Sequence, residues 1–193
     1  MNTEELRALE QALGITFRES SLLEQALVHR SYLNENPTFP LPNNERLEYL
    51  GDAVLGFVVA EKLYNAFPNL SEGEMTVHRS ALVRQETLAR RATSLGLGSY
   101  LLLGRGEEAT GGRKRPSNLA RALEAVIAAV LLDRGIAAAR RFVLRLFSRE
   151  LRRMASGRMT LEYKSQLQQL IQTERGLTPI YRTVETSGPE HDL

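Results

Sequence analysis

The chain has 193 residues, a formal net charge of +2 and 42% hydrophobic residues, enough for one main domain and a small second one. It contains no cysteine, which excludes a disulfide framework, thiolate metal ligands and a cysteine nucleophile. No apolar run reaches the roughly 18 residues of a membrane span, and the acidic N-terminus lacks the features of a signal peptide. We therefore expect a cytoplasmic protein that has no membrane partner.

The small net charge hides an uneven distribution of charge along the chain. Residues 1–78 hold 12 Asp and Glu against 5 Lys and Arg, whereas residues 79–193 hold 11 against 20. Residues 134–158 alone carry eight arginines and one Glu. An acidic site beside a basic surface suits a polyanionic substrate such as a nucleic acid, although arginine-rich helices are also common as plain solvated faces.

Helical patterns account for most of the predicted elements, taken in chain order. We predict helices over 4–13, from 21 onward, from 44 or 45 to about 67, from 71 to about 95, over 118–133 and over 136–155. Ser21 with Glu24, and Ser71 with Glu74, have the spacing of capping boxes. Residues 36–44, rich in proline, form an extended lead-in, residues 104–112 form a glycine-rich loop, and no convincing strand precedes Gly157.

Three carboxylates share one side of the helix that begins near residue 45. Glu45, Glu48 and Asp52 are three and four residues apart, so a helix places them on one stripe, while Leu47 and Val54 face the core. Acids aimed at one spot repel each other, and a hard divalent cation such as Mg²⁺ would remove that cost. The alternative is a solvated acidic helix face.

A fourth acid, Glu124, lies in an alanine-rich helix. Ser117 can cap this helix and Gly135 can end it. Its many small residues indicate close contact with neighbouring helices, where a carboxylate is costly unless it is paired or bound to metal. Alternatively, Glu124 lies on an exposed stripe and pairs with Arg121 one turn earlier.

Four segments, in the same order along the chain, resemble the ribonuclease III family. Residues 44–52 read NERLEYLGD, which is similar to the family signature. The other matching segments are 26–32 (ALVHRSY), 104–112 (GRGEEATGG) and 119–125 (LARALEA). The resemblance implies an all-α endonuclease domain over residues 1–155, followed by a linker over 156–160.

The resemblance also implies roles for individual residues. Glu48, Asp52 and Glu124 align with family ligands of Mg²⁺, for which Mn²⁺ can substitute, and Asp52 and Glu124 would be catalytic. Glu45 aligns with an acid tied to RNA binding and cleavage. Tyr49 aligns with an aromatic residue at the interface of a homodimer. No nucleotide cofactor is expected.

Arg121 departs from the family pattern, in which an Asp stands three residues before the second-helix Glu. The exchange removes a carboxylate and places a cation on the helical face of Glu124, where it can pair with Glu124 or weaken Mg²⁺ binding. Two functions of different class follow. One is a working nuclease that tolerates Arg121, and the other is a catalytically impaired module that binds double-stranded RNA on the same fold.

The last part of the chain resembles the beginning of a double-stranded-RNA-binding domain. Residues 161–172 are similar to its first helix and residues 179–185 to its first strand. The resemblance therefore implies that residues 161–193 form only the N-terminal part of this α/β domain, which is truncated. Ser165, Gln168 and Gln169 align with positions that reach the RNA minor groove, where duplex shape and 2′-OH groups are recognised.

Two weaker features are open to more than one interpretation. The cluster of Arg113, Lys114 and Arg115 either contacts RNA phosphates or belongs to a solvated loop. His29 lies in a family-like segment and is interpreted as structural, because the three histidines show no zinc spacing.

The family resemblance implies metal-assisted hydrolysis of phosphodiester bonds in double-stranded RNA. The expected products carry 5′-phosphate and 3′-hydroxyl ends, as in the processing of ribosomal and messenger RNA precursors. Two sites of a homodimer would line one valley and each would cut one strand. The number of metal ions at each site, one or two, stays open.

Overall fold

The computed structural model describes residues 1–155, 171–172 and 177. Its helices are α1 (Thr3–Leu13), α2 (Ser20–Ala26), α3 (Arg30–Glu35), α4 (Glu45–Ala66), α5 (Glu72–Val83), α6 (Gln85–Ser94), α7 (Leu97–Tyr100), α8 (Arg105–Ala109), α9 (Pro116–Arg134), α10 (Ile136–Leu146) and α11 (Ser148–Ala155). A short 3₁₀ turn over Gly112–Lys114 joins α8 to α9. The expected all-α fold of the main domain is confirmed. The described residues contain one isolated β-bridge, between Val28 and Leu102.

Helix α9 lies at the centre of the molecule and contacts α2, α4, α6 and α10. Between Asn118 and Val130 every residue except Arg121 and Glu124 is buried. Alanine occupies many of these positions, so neighbouring helices approach the α9 backbone closely. The only charged residues in this span, Arg121 and Glu124, line the same cavity as the acids of α4.

Several predicted boundaries agree with the structure. The first helix ends at Gly14, which has the left-handed backbone (φ 61°) expected of a helix-terminating glycine. Helix α4 spans the predicted range, and α9 ends at Gly135 as expected. The capping box of Ser71 and Glu74 is present at the start of α5.

Two long helices were wrongly predicted to be continuous. The predicted helix over 71–95 divides at Arg84, whose extended backbone (φ −64°, ψ 150°) separates α5 from α6. The Thr87 hydroxyl donates to the Ala81 carbonyl at 2.9 Å across this bend, which turns the apolar face of α6 onto α9. The predicted helix over 136–155 divides at the buried Phe147 into α10 and α11. The predicted loop over 104–112 contains α8.

Two predicted caps were also wrong. Ser21 lies inside α2, whose first flanking residue is Glu19, and Glu24 binds the amino group of Met1 instead of completing a capping box. The carboxylate of Asp133, at the end of α9, accepts hydrogen bonds from the backbone amides of Arg18 and Glu19. Ser117 lies within α9, which begins with proline at its first position.

No helix in the described part of the chain is both long enough and apolar enough to span a bilayer. The predicted linker over 156–160 falls outside the described residues. The same holds for nearly all of the predicted RNA-binding segment over 161–193.

Candidate active site

The N-terminus of α4 is fixed by Asn44, a buried polar residue. Its backbone amide donates to the Val28 carbonyl at 2.9 Å, and its side-chain amide donates to the Ala26 carbonyl at 3.1 Å. The Asn43 side chain accepts from the Glu45 amide at 3.2 Å, which satisfies one of the unpaired donors at the start of the helix. The first acidic turn of α4 is therefore held against the segment that precedes α3.

Helices α4 and α9 meet at Gly51, where the two backbones are in direct contact. A Cβ atom on Gly51 would lie 1.8 Å from the carbonyl oxygen of Glu124, far closer than an unbonded carbon and oxygen can approach. Only glycine permits this approach. The contact sets Glu48 and Asp52, which flank Gly51 on α4, beside Glu124 on α9.

The predicted acids of both helices line one open cavity of about 560 Å³. Its lining residues are Arg30, Glu45, Glu48, Tyr49, Asp52, Arg121 and Glu124. The structure thus brings together every predicted site residue of the main domain. Ser165, Gln168 and Gln169 lie outside the described residues.

Burial and mutual repulsion raise the pKa values of two of these acids. Burial, followed by the charges of Asp52 and Glu48, raises the pKa of Glu124 to about 7, against a smaller opposing effect of Arg121. Burial also raises the pKa of Glu48, and Glu45 and Asp52 add to that increase. Without a cation, Glu124 therefore holds a proton over much of the range below neutral pH.

Two arginines pair with acids inside this cavity. Arg121 Nε lies 3.4 Å from Glu48 Oε1, and Arg30 Nη1 lies 4.0 Å from Glu45 Oε1. Helical spacing suggested an ion pair between Arg121 and Glu124. In the structure Arg121 of α9 pairs instead with Glu48 of α4. Arg30 was not predicted as a site residue, since its contact spans 15 residues of chain and follows no helical period.

The donor set of this cavity fits a hard divalent cation. Among the described residues, no three acidic or histidine side chains surround one point closely enough to hold a metal ion directly. Mg²⁺, however, commonly takes one or two carboxylates and completes its octahedral shell with waters and phosphate oxygens. Asp52 and Glu124 supply two such carboxylates, and both line this cavity.

The glycine-rich segment before α9 is held by its own charged residues. Glu107 accepts a hydrogen bond from Asn118 Nδ2 at 2.8 Å and pairs with Arg115, and the Asn118 hydrogen bond lowers the pKa of Glu107. Arg113 donates to the Leu101 carbonyl at 2.8 Å and binds Glu108. The sequence left the role of the basic cluster open between RNA contact and a solvated loop. Two of its three residues, Arg113 and Arg115, have a structural role, because their contacts fix the segment before α9.

His29 has the structural role predicted for it and stabilises the start of α3. Its Nδ1 accepts from the Ser31 amide at 3.2 Å, and Ser31 Oγ in turn accepts from the Gly104 amide at 2.9 Å. Burial lowers the pKa of His29, so the ring is neutral at physiological pH. These bonds connect the start of α3 to the glycine-rich segment.

Comparison with known proteins agrees with this arrangement. A family model described as Ribonuclease-III-like matches residues 19–151, the part of the chain that contains the cavity. The fold and the site thus define a nuclease domain of the ribonuclease III type. Ribonuclease 3 of Dehalococcoides mccartyi is 52% identical over 188 residues, which cover 97% of this chain and 79% of that protein. Ribonuclease 3 of a Roseiflexus species is 49% identical over 185 residues, covering 95% and 78%.

A solved structure shares the fold as well. The nuclease domain of ribonuclease III from Campylobacter jejuni superimposes with a TM-score of 0.69 at 42% identity, covering 75% of this chain and 96% of that one. Its description names a flexible region involved in dimer formation of that protein. The chain belongs to the ribonuclease III family.

Proposed function

We propose that this endoribonuclease cleaves double-stranded RNA by metal-assisted hydrolysis, leaving 5′-phosphate and 3′-hydroxyl ends. The observation that carries the proposal is the convergence of four carboxylates from α4 and α9 in one open cavity. An open cavity suits a large polyanion better than a small molecule, which would be mostly enclosed. Precursors of ribosomal and messenger RNA are the proposed substrates, and the cytoplasm is the proposed location.

In the proposed mechanism, Asp52 and Glu124 would hold Mg²⁺ or Mn²⁺, and Glu48, the third proposed ligand, is paired with Arg121. The bound ion would supply Lewis acidity, lower the pKa of a water and offset charge on the phosphate. Glu124 would be ionised in the loaded site, because a nearby cation would offset the burial and the repulsion that raise its pKa. The rigid contact at Gly51 keeps the two helices, and so Asp52 and Glu124, in fixed relative positions.

RNA recognition is proposed to involve residues at both ends of the domain. Glu45 and its partner Arg30 lie at the edge of the cavity, where Arg30 can exchange the carboxylate for a phosphate. Exposed arginines of the last two helices can contact further phosphates: Arg141, Arg149 and Arg152. Ser165, Gln168 and Gln169 are proposed to reach the minor groove, as the resemblance implies.

A homodimer is proposed from the exposed face of α4. Tyr49, Phe57 and Tyr64 are 81%, 59% and 71% exposed, and the helical repeat places them on one side. Large exposed aromatic side chains in a row are typical of a surface that another protein covers. In a two-fold dimer the same face would meet itself, and the two cavities would lie on either side of it.

Cleavage of a long perfect RNA duplex in Mg²⁺ tests the proposed reaction. The parent chain should cut both strands, and Glu124→Gln should lower the rate by at least about 100-fold, because the site loses a charged ligand. Glu86→Gln, which removes an exposed acid outside the cavity, should cut like the parent. Equal rates for the parent and Glu124→Gln would reject the proposed site.

The second candidate is an RNA-binding module without strong catalysis. The ion pair between Arg121 and Glu48 favours this second candidate, because the pair occupies one of the proposed metal ligands. The two candidates differ in the metal dependence of their activities. A binding module should bind duplex RNA equally with Mg²⁺ and with a chelator, and should show no cleavage at any Mg²⁺ concentration.

A further inference from the structure

The cavity contains fixed positive charge as well as acids. Among the described residues, four carboxylates and two guanidiniums line it, so its formal charge is −2 when all of these groups are ionised. A single divalent cation therefore brings the cavity to neutrality. With a carboxylate in place of Arg121, the formal charge would be −4, and neutrality would require two divalent cations.

The position of Arg121 makes this charge part of the site. Its guanidinium is paired with Glu48 at 3.4 Å, and its charge opposes the increase in pKa of both Glu48 and Glu124. The pair engages one of the three proposed ligands and leaves Asp52 and Glu124 for an ion. Because the Arg121 side chain is 53% exposed, its remaining nitrogens can contact a phosphate in the same cavity.

We propose that Arg121 supplies the positive charge of a second cation, so that each chain holds one divalent cation, on Asp52 and Glu124. The inference rests on the proposed function, because it concerns the same site. It assigns Arg121 to the positioning of substrate and metal. Arg121 is then neither a neutral replacement nor a disabling one.

Counting bound Mn²⁺ tests the inference without any measurement of activity. The full chain is titrated with Mn²⁺, and free ion is measured by electron paramagnetic resonance. The parent should bind one Mn²⁺ per chain at the site, defined as the binding that Glu124→Gln removes. Arg121→Asp should bind two.

Arg121→Gln is the matched variant, because it removes the charge without adding a ligand. It should still bind one Mn²⁺, with an affinity about tenfold or more higher than that of the parent, since a nearby positive charge is gone. Circular dichroism melting shows whether each variant is folded. The exposure of Arg121 makes both substitutions compatible with the fold.

Two Mn²⁺ ions per parent chain, or one ion on Arg121→Asp, would overturn the inference. Retention of the Mn²⁺ by Glu124→Gln would also overturn it, because the ion would lie elsewhere. The RNA cleavage assay separates this result from the proposed function. If the parent binds one Mn²⁺ but does not cleave RNA, the proposed nuclease function fails and the inference about Arg121 stands. If the parent binds two Mn²⁺ and cleaves RNA, the inference fails and the proposed function stands.

Discussion

His78 is a buried histidine in α5 and has no role in the proposed chemistry. It is 6% exposed, and its Nδ1 has no hydrogen-bond partner among the described residues. Burial lowers the pKa of His78 below its ordinary value of 6.5, with a smaller opposing effect of Glu74. The folded protein therefore keeps this ring neutral under conditions in which the unfolded chain protonates it.

This burial predicts a pH dependence of the free energy of unfolding. A group with a depressed folded pKa binds more protons when unfolded, so stability is lost as pH falls below 6.5 towards the folded pKa. The advantage of the parent over His78→Gln should shrink across this window. Urea unfolding of both proteins in chelator from pH 7.5 to 5 measures it. A constant difference would show that the folded and unfolded pKa values of His78 are equal.

At the scale of single residues, the sequence was sufficient to predict which acids lie together when they follow a helical repeat. Glu45, Glu48 and Asp52 share a stripe whatever the rest of the fold does, so periodicity alone groups them. Arg30 joins them only because the segment before α3 packs against the start of α4. The partner of Arg121 was likewise out of reach, since Glu48 is on another helix and 73 residues away.

At the scale of helices, Gly51 is the position where a small change has the largest expected effect. Gly51→Ala places a methyl group 1.8 Å from the Glu124 carbonyl oxygen, and neither backbone can move without separating α4 from α9. We expect a loss of about 3 kcal/mol or more of stability, at the upper end of overpacking effects. Urea unfolding measures this loss.

A matched control for this substitution is Gly73→Ala in α5. A Cβ atom there meets nothing within 4 Å, so its stability should stay within about 1 kcal/mol of the parent. If Gly51→Ala unfolds at the same urea concentration as Gly73→Ala, the helices do not approach as closely as the structure has them. If it folds but no longer cleaves RNA, the contact serves mainly to align the carboxylates.

Helix positions were predictable where the signals are local, and helix interruptions were not. Gly14, Gly135 and the Ser71 capping box are signals within one turn, and the helices end or begin there. The bend at Arg84 has no proline or glycine to announce it. The entry to α2 is bound by Asp133, more than 100 residues later, so no local pattern could reveal it.

At the scale of the whole molecule, the aromatic face of α4 predicts the oligomeric state. Tyr49→Ala combined with Phe57→Ala should convert the proposed dimer to a monomer, because these side chains are mostly exposed in the single chain and would be buried by a partner. Light scattering after size-exclusion chromatography measures the molecular mass. The double variant should also lose coordinated cutting of both RNA strands.

Two other exposed apolar residues provide the control. Leu132 and Ile136 are 54% and 51% exposed at the corner between α9 and α10. Replacing both with alanine should leave the mass unchanged if the dimer forms through α4. A monomer from this control, with a dimer from the α4 variant, would assign the interface to the corner instead.

The central position of α9 has a consequence for the order in which a growing chain can fold. The helices that precede it bury much of their apolar surface against residues 116–134, which leave the ribosome after them. Until α9 is synthesised, the apolar surface that α2, α4 and α6 bury against it has no partner. We therefore expect both halves of the acidic cavity to form together, late in synthesis, once α9 can pack against the helices made earlier.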